Sequence, residues 1–406
     1  MGSFEDPKAG RMPRGAGFFS GKMAVILPSA FINSLAVGCM SLGMLFAVKD
    51  LFGAGPGLVA SLGALWSTAY LTGCIVLRVP ARRLRPRTAM TVMLLGSAAS
   101  VTAFLAYPGL WQAFASYACF GFLTAFFWPP MMGWLSKGYE GAELNRATSM
   151  FSFSWSIGGI ISSYMAGLLS ERGKLLPIIV AAALLLVNAA FVTVSRLFVR
   201  LDEEPSAEAA EVEAVVDRST PLRYPAWLGV FLAYAVMGVV INVFPVFASD
   251  ELGLSESTIG LALTIRAAAT TVGFLALGRL TFWQFKRAAI PALSIAAAAT
   301  VALLAAARNA AGFALGFTVI GLLQAMVYNN SLFYGVSGAS DRDKRASVHE
   351  SVLTFGQITG SVSGGFVYQA LSMPPVFIGL ALLLGAGAAA QAVMVYAGHR
   401  HPKARV

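Results

Sequence analysis

Read along the chain, apolar positions come in long continuous runs. They show neither the alternation of a half-buried strand nor the one-sided stripe of a soluble helix. Twelve such runs lie near residues 23–47, 57–77, 88–106, 110–134, 147–169, 175–195, 226–248, 257–278, 288–307, 311–336, 347–370 and 375–397, separated by charges and Gly/Pro turns. A helix needs about 20 mostly apolar residues to cross about 30 Å of hydrocarbon. A barrel strand needs about 10 with strict alternation. The segment IIVAAALLLVNAAFVTV (178–194) has neither property of a barrel strand. The pattern therefore predicts an all-α membrane protein with twelve transmembrane helices. The first run does not read as a signal peptide: it is too long, has no convincing small-residue cleavage site, and eleven spans follow it.

Composition strengthens this reading. Hydrophobic residues make up 57% of the chain and charged residues 12%, with a mean hydropathy of +0.72. A soluble domain carries about 25% charged residues, so a soluble or disordered chain is excluded. The net charge of +10 would suggest nucleic acid until the charges are located. With the N-terminus placed in the cytoplasm, 24 of the 29 cations fall on cytoplasmic segments, four fall outside, and Arg266 alone lies within a span. That asymmetry is the positive-inside signature. It predicts cytoplasmic N- and C-termini in a cell (plasma or inner) membrane, with the lipid bilayer rather than nucleic acid as the surrounding partner. Cys39, Cys74 and Cys119 lie far apart in apolar spans and read as packing thiols. No zinc-type cluster or nucleotide-binding loop is present, so no metal or cofactor is expected.

Residues 200–224, RLDEEPSAEAAEVEAVVDRSTPLRY, hold seven of the 19 acids and few large apolar side chains. They read as a cytoplasmic linker between a bundle at 1–199, with a short tail at 1–22, and a bundle at 225–406. The bundles repeat one another. FAVKDLFG (46–53) matches FASDELG (247–253), Arg78 falls on Arg279, and Arg146-Ala147 falls on Arg345-Ala346. A repeat of this kind predicts two pseudo-symmetric six-helix bundles related by an axis along the membrane normal, the plan of transporters that hold solute between the repeats.

With six plus six helices, the linker, the basic loop LRVPARRLRPR (77–87) and Gly-rich fifth and eleventh spans, the chain resembles the major facilitator superfamily over essentially all of its length. The loop departs from the family pattern: Ala81 stands about where an acid is usual, and its counterpart GRLTFWQFKR (278–287) lacks the acid too. The resemblance implies a central cavity lined by spans 1, 4, 7 and 10, flanked by 2, 5, 8 and 11. It does not point to a drug/proton antiporter, because span 5 has no Gly-Pro pair.

Candidate solute contacts follow. Arg266, about nine residues into span 8 and hence roughly 14 Å deep, reads either as an anion-binding fork or as an internally paired cation. Branches of the family that move small carboxylates or nitrate are similar in carrying an arginine on span 8, although the nitrate branch adds one on span 2, where this chain has Leu65. Span 10 offers Tyr328 and Asn329, whose polar groups must avoid lipid. Trp128 stands beside Pro129 and Pro130 on span 4, as a cavity ring or part of a packing kink. Asn33 on span 1 and Asn242 on span 7 complete the set. Glu350, beside His349, reads as a gate carboxylate pairing with Arg78 or Arg82, or as a proton carrier with His349 as relay. Small residues such as Gly158 and Gly360 predict close helix crossings that slide between the halves.

The expected function is secondary active transport of a small organic solute by alternating access, with an anionic or amphiphilic solute first and H+ as an optional coupling partner. The protein would act as a monomer and not as an enzyme. An exporter of neutral sugars or drugs is the alternative, and a non-transporting receptor or scaffold the distant one.

Overall fold

The computed structural model describes residues 21–77, 80, 83–136, 141–199, 219–277, 280, 283–337, 339 and 342–397. Every element described is a helix. The first half holds α1 (Met23–Phe52), α2 (Pro56–Val76), α3 (Pro86–Ala106), α4 (Leu110–Thr124), α5 (Trp128–Ser136), α6 (Gly141–Arg172) and α7 (Leu176–Phe198). The second holds α8 (Arg223–Asn242), α9 (Phe244–Asp250), α10 (Glu256–Leu277), α11 (Ala289–Leu304), α12 (Ala310–Val336), α13 (Arg342–Ala370) and α14 (Met373–Ala397). These are twelve spans, because two are interrupted. Pro129 and Pro130 follow the break between α4 and α5, and Pro245 follows the break between α8 and α9. A proline has no N–H to bond the preceding turn, which explains both breaks. With each broken span counted whole, nine of the described helices are long and apolar enough to cross a bilayer.

The repeat seen in the sequence is a repeat of turns and contacts. α1 ends at Gly53 with φ 62°, and α9 ends before Gly253 with φ 60°. Both glycines allow the same left-handed exit. Ala54 N–H then bonds Val48 O at 3.3 Å, and Leu254 N–H bonds Ala248 O at 2.9 Å. The packing is matched as well: α1 lies on α6 and α7, and α8 lies on α13 and α14; α2 lies on α4, and α10 on α12. Between the halves, α6 meets α10 and α13 meets α2.

The small residues of α6 and α13 divide between two tasks. A Cβ at Gly158 would come 2.7 Å from Phe31 O, and one at Gly356 would come 2.3 Å from Phe231 O. These glycines seat each long helix on the first helix of its own half. At Gly360 a Cβ would stand 1.9 Å from Ala235 O. Because that neighbour is backbone, it cannot step aside. Gly360→Ala is therefore expected to destabilise the second half by about 1–3 kcal/mol, read as a lower Tm in detergent; an unchanged Tm would show that α8 and α13 are not held this closely. Gly167 and Gly365 instead lie between the halves, a Cβ at the first meeting Glu256 O at 2.2 Å and one at the second Ala60 Cβ at 2.4 Å.

Candidate functional site

Gln324, Tyr328 and Ser331 share one face of α12, since steps of four and three residues at 100° each return within about 60°. Each makes polar contact with a neighbouring helix. Arg266 of α10 donates from Nη1 to Gln324 Oε1 at 2.9 Å, and the same nitrogen lies 3.8 Å from Met237 Sδ on α8. Thr270 Oγ1, one turn along α10, is 3.5 Å from Gln324 Oε1. Arg266 is half-buried, its Nε has no partner, and no carboxylate among the described residues lies within ion-pair distance. The guanidinium, midway along α10, thus has only neutral partners among the described residues.

One turn further along α12, Tyr328 donates to Glu350 Oε1 of α13 at 3.3 Å, and its ring meets Phe274 edge-on at 5.5 Å. His349 is fully buried, with Nδ1 on Ser331 Oγ at 2.8 Å, while its Nε2 lies 4.0 Å from Glu350 Oε1. Glu350 itself is open, with 57% of its side chain exposed. The Tyr328 hydroxyl and the His349 ring hold it beside α12. Gln324 and Tyr328, one turn apart on α12, thus carry Arg266 of α10 and Glu350 of α13 along the same helix face.

The other predicted residues lie elsewhere. Asn33 is 0% exposed within the first half, and neither end of its amide has a protein partner. Asn242 donates to Ser361 Oγ at 2.8 Å at the α8–α9 break, and a Cβ on Gly63 of α2 would stand 2.3 Å from its Oδ1. It fills a crossing between the halves. Trp128 packs edge-on against Phe127 at 4.9 Å and Phe151 at 5.9 Å, joining the core of the first half. Asn329 is half-buried, and its neighbour Asn330 bonds the α12 backbone at Met326 O. Arg78 and Arg82 lie outside the described residues. A mainly apolar groove of about 460 Å³ between α8 and α13 includes Val352 and Phe355. These lie about 160° and 140° around α13 from Glu350 at 100° per residue, so on α13 they occupy a different face from Glu350, with Ser351 of the groove about 100° away.

Sequence reasoning missed the lock at the end of the bundle away from the linker. Lys49 of α1 pairs with Asp250 of α9 at 2.6 Å and with Asp50 at 2.9 Å. Lys174, in the turn before α7, pairs with Asp50 at 2.8 Å and with Glu256 of α10. Glu171 accepts the Ser257 N–H at 2.9 Å. Five charged side chains thus tie one half to the other in a connected network. A signal was available: Lys49 and Lys174 are two of only four cations on the sparsely charged side.

Burial works against the charge on Lys174, but the Asp50 and Glu256 carboxylates beside it outweigh burial and hold the ammonium above its usual range. Its contribution is therefore fully present below the ordinary lysine value and fades only as pH rises through the raised one. Replacing both lysines, Lys49→Met with Lys174→Met, is expected to shift the population with this end open by roughly tenfold, the two pairs that cross between the halves, Lys49–Asp250 and Lys174–Glu256, each contributing up to about 1 kcal/mol. Electron–electron resonance distances between spin labels at Tyr107 and Arg308, exposed on the two halves at this end, read that population. Unchanged distances would remove the lock.

The profile of the Major Facilitator Superfamily matches the chain twice, over residues 26–225 and 226–406. No curated protein matches it significantly by sequence. Among solved structures, a POT family transporter in complex with 5-aminolevulinic acid is similar with a TM-score of 0.78 at 12% identity, covering 95% of this chain and 98% of that one. A POT family transporter in complex with thioalcohol conjugated peptide gives 0.76 at 12% identity, covering 93% and 96%. The nucleoside transporter NupG gives 0.70 at 14% identity, covering 92% and 99%. At these identities the likeness is one of fold.

Proposed function

The chain belongs to the Major Facilitator Superfamily, and from that membership we propose that it is a secondary active transporter. It moves a small organic solute by alternating access, with an anionic or amphiphilic solute preferred. The observation that carries the preference is Arg266, a guanidinium bonded only to Gln324 and Met237 and without a carboxylate partner among the described residues. A cation held in the membrane interior is costly, and a solute carboxylate meeting its free edge would offset that cost.

The halves are taken as 1–199 and 225–406, joined by the cytoplasmic linker 200–224, with both termini in the cytoplasm of a cell membrane and one chain as the working unit. On that placement the lysine network closes the outer end, and the solute space is reached from the cytoplasm. Alternating access requires this network to part in the opposite state.

A neutral polar solute is the second reading. It is favoured by the hydroxyl and amide groups of Thr270, Gln324 and Tyr328 along the same face of α12, and the fold-level likeness includes a nucleoside transporter as well as one that holds 5-aminolevulinic acid. Competition in proteoliposomes under an imposed proton gradient separates the readings. Carboxylates are expected to compete for uptake at lower concentration than nucleosides or sugars; the reverse order would replace the first reading by the second. Abolition of the gradient dependence in Glu350→Gln would mark that carboxylate as the proton carrier.

A further inference from the structure

Five polar atoms in the core of the first half have no protein partner among the described residues. They are Ser29 Oγ and both ends of the Asn33 amide on α1, Ser97 Oγ on α3, and Asn188 Oδ1 on α7. All four residues are 0% exposed. An amide or hydroxyl taken out of water without a replacement hydrogen bond costs free energy. Nearly all buried polar groups in folded proteins are satisfied, by protein or by ordered water.

The four residues lie at one level of the bundle. Ser29 and Asn33 are one turn apart on α1, on the side away from α6: Leu27 O and Phe31 O meet that helix, and two residues further along is a turn of about 200°. Asn188 Nδ2 donates to Ser29 O at 3.0 Å, which holds the Oδ1 of the same amide beside α1. α3 and α7 run antiparallel, with Arg196 donating to Thr88 Oγ1 at 3.0 Å. Ser97 stands nine residues beyond Thr88 and Asn188 eight before Arg196, about 13 and 12 Å along the two helices. α1 and α3 start level with each other beside Trp134, whose carbonyl accepts from Lys22 and whose ring lies 5.3 Å from the Arg87 guanidinium. Asn33 is eleven residues beyond Lys22, and Ser97 is ten beyond Arg87. None of the five atoms bonds another.

The chemistry of the set selects what bridges it. Asn33 Oδ1 and Asn188 Oδ1 only accept, Asn33 Nδ2 only donates, and the two serine hydroxyls do either. A metal cation would face the Asn33 N–H groups and bring an uncompensated charge into the core; an anion would face two amide oxygens. Water donates, accepts and carries no charge. We propose that this junction is an internal hydration site, in which ordered water bridges Ser29 and Asn33 of α1 to Asn188 of α7 and Ser97 of α3. A bridging water can change partners when α1 shifts against α3 or α7, whereas a direct amide pair would strand a group. The site does not depend on which solute the protein moves.

A double-mutant cycle tests it, with Asn33→Leu and Ser97→Ala in the full chain and Tm in detergent as the readout. Neither side chain bonds protein, so a shared water cluster is what would couple them. Each single replacement removes one anchor of the water and strands the others. Each is expected to lower Tm by roughly 2–6 °C, and the double variant by clearly less than the sum. Losses that add overturn the proposal. So do rises in Tm, because a polar group orphaned without water is better replaced by an apolar one. Should a variant fail to fold, the wild type still decides. A high-resolution density map is expected to show discrete peaks within hydrogen-bond reach of Asn33 and Asn188, and a map without them overturns the site. Wild-type Tm is expected to be equal in NaCl and in choline chloride. A rise specific to Na+ that Asn33→Leu abolishes would make the ligand a cation and overturn the water assignment.

Discussion

Arg266→Ala is expected to lower uptake of a carboxylate-bearing solute by about 100-fold, and Arg266→Lys by about tenfold. The estimate follows from two charge-assisted hydrogen bonds at about 1.5 kcal/mol each, at about 1.4 kcal/mol per tenfold. Lysine keeps the charge but not the fork. A guanidinium can hold Gln324 Oε1 with one nitrogen and present the remaining N–H groups to both oxygens of a carboxylate. An ammonium must choose between them. Stability supplies the control. If Arg266 were one member of a buried ion pair, its removal would strand a carboxylate and cost about 3–5 kcal/mol. No such partner is found among the described residues, so the alanine variant should keep its Tm while losing uptake. Initial rates in proteoliposomes and thermal unfolding of the same preparation check both halves of this statement. Rates equal to wild type in both variants would end the anion assignment.

The second large effect concerns movement. Gly260→Leu is expected to abolish closure of the end away from the linker and to reduce transport by about 100-fold or more, because a closed state that cannot form removes a step of the cycle. At this crossing the backbones nearly touch. A Cβ on Gly260 would stand 2.4 Å from Ser163 O, and one on Gly167 would stand 2.2 Å from Glu256 O. Each helix of the α6–α10 pair thus supplies the glycine that admits the other. Thr264 adds a bond to Ile160 O at 3.0 Å one turn further in. A leucine there must push the halves apart, since the atoms it meets are backbone. Because the crossing lies between the halves, each bundle should still fold, unlike in Gly360→Ala. Labels at Tyr107 and Arg308 should report the open distance in Gly260→Leu whether or not solute is present. Wild-type distances with wild-type rates would show that the crossing has slack.

These two residues were legible to different degrees. Arg266 stands out in the sequence because an arginine amid apolar residues has few tolerable surroundings in a bilayer. Its partner was less visible: Gln324 is one of several polar groups on its span, and the direction of each depends on how α12 is rotated against α10 and α13. Gly260 looks like any other of the chain's 41 glycines. The helix ends tell the same story from the other side. The match of FAVKDLFG to FASDELG was visible as letters, and the structure shows its content as two left-handed glycine exits with equivalent capping bonds.

Asn33, Asn242 and Trp128 show where sequence reasoning lacked information. A polar or aromatic residue on a helix of mostly apolar residues must avoid lipid, but three other destinations exist: a cavity, a neighbouring helix, or the core of its own bundle. Asn33 goes to the core, Asn242 to the crossing with α2, and Trp128 to a cluster of rings. Of the residues singled out, Arg266, Tyr328, His349 and Glu350 are linked along one face of α12, through Gln324, Tyr328 itself and Ser331.

The sequence by itself determined the number of spans, their grouping into two repeats, the cation asymmetry of the loops and the isolated arginine. These follow from hydrophobic length, loop charge and the cost of a charge in hydrocarbon, all of which act along the chain. Tertiary structure alone decided which polar faces meet, which glycines serve the contact between halves, and that Lys49 and Lys174 lock one end to residues about 200 and 80 positions away. Those outcomes depend on the rotation and crossing of packed helices. A change of one residue in helical register turns a side chain by 100°, from a neighbouring helix to the cavity or to lipid, and a uniformly apolar span carries too weak a one-sided pattern to specify that angle.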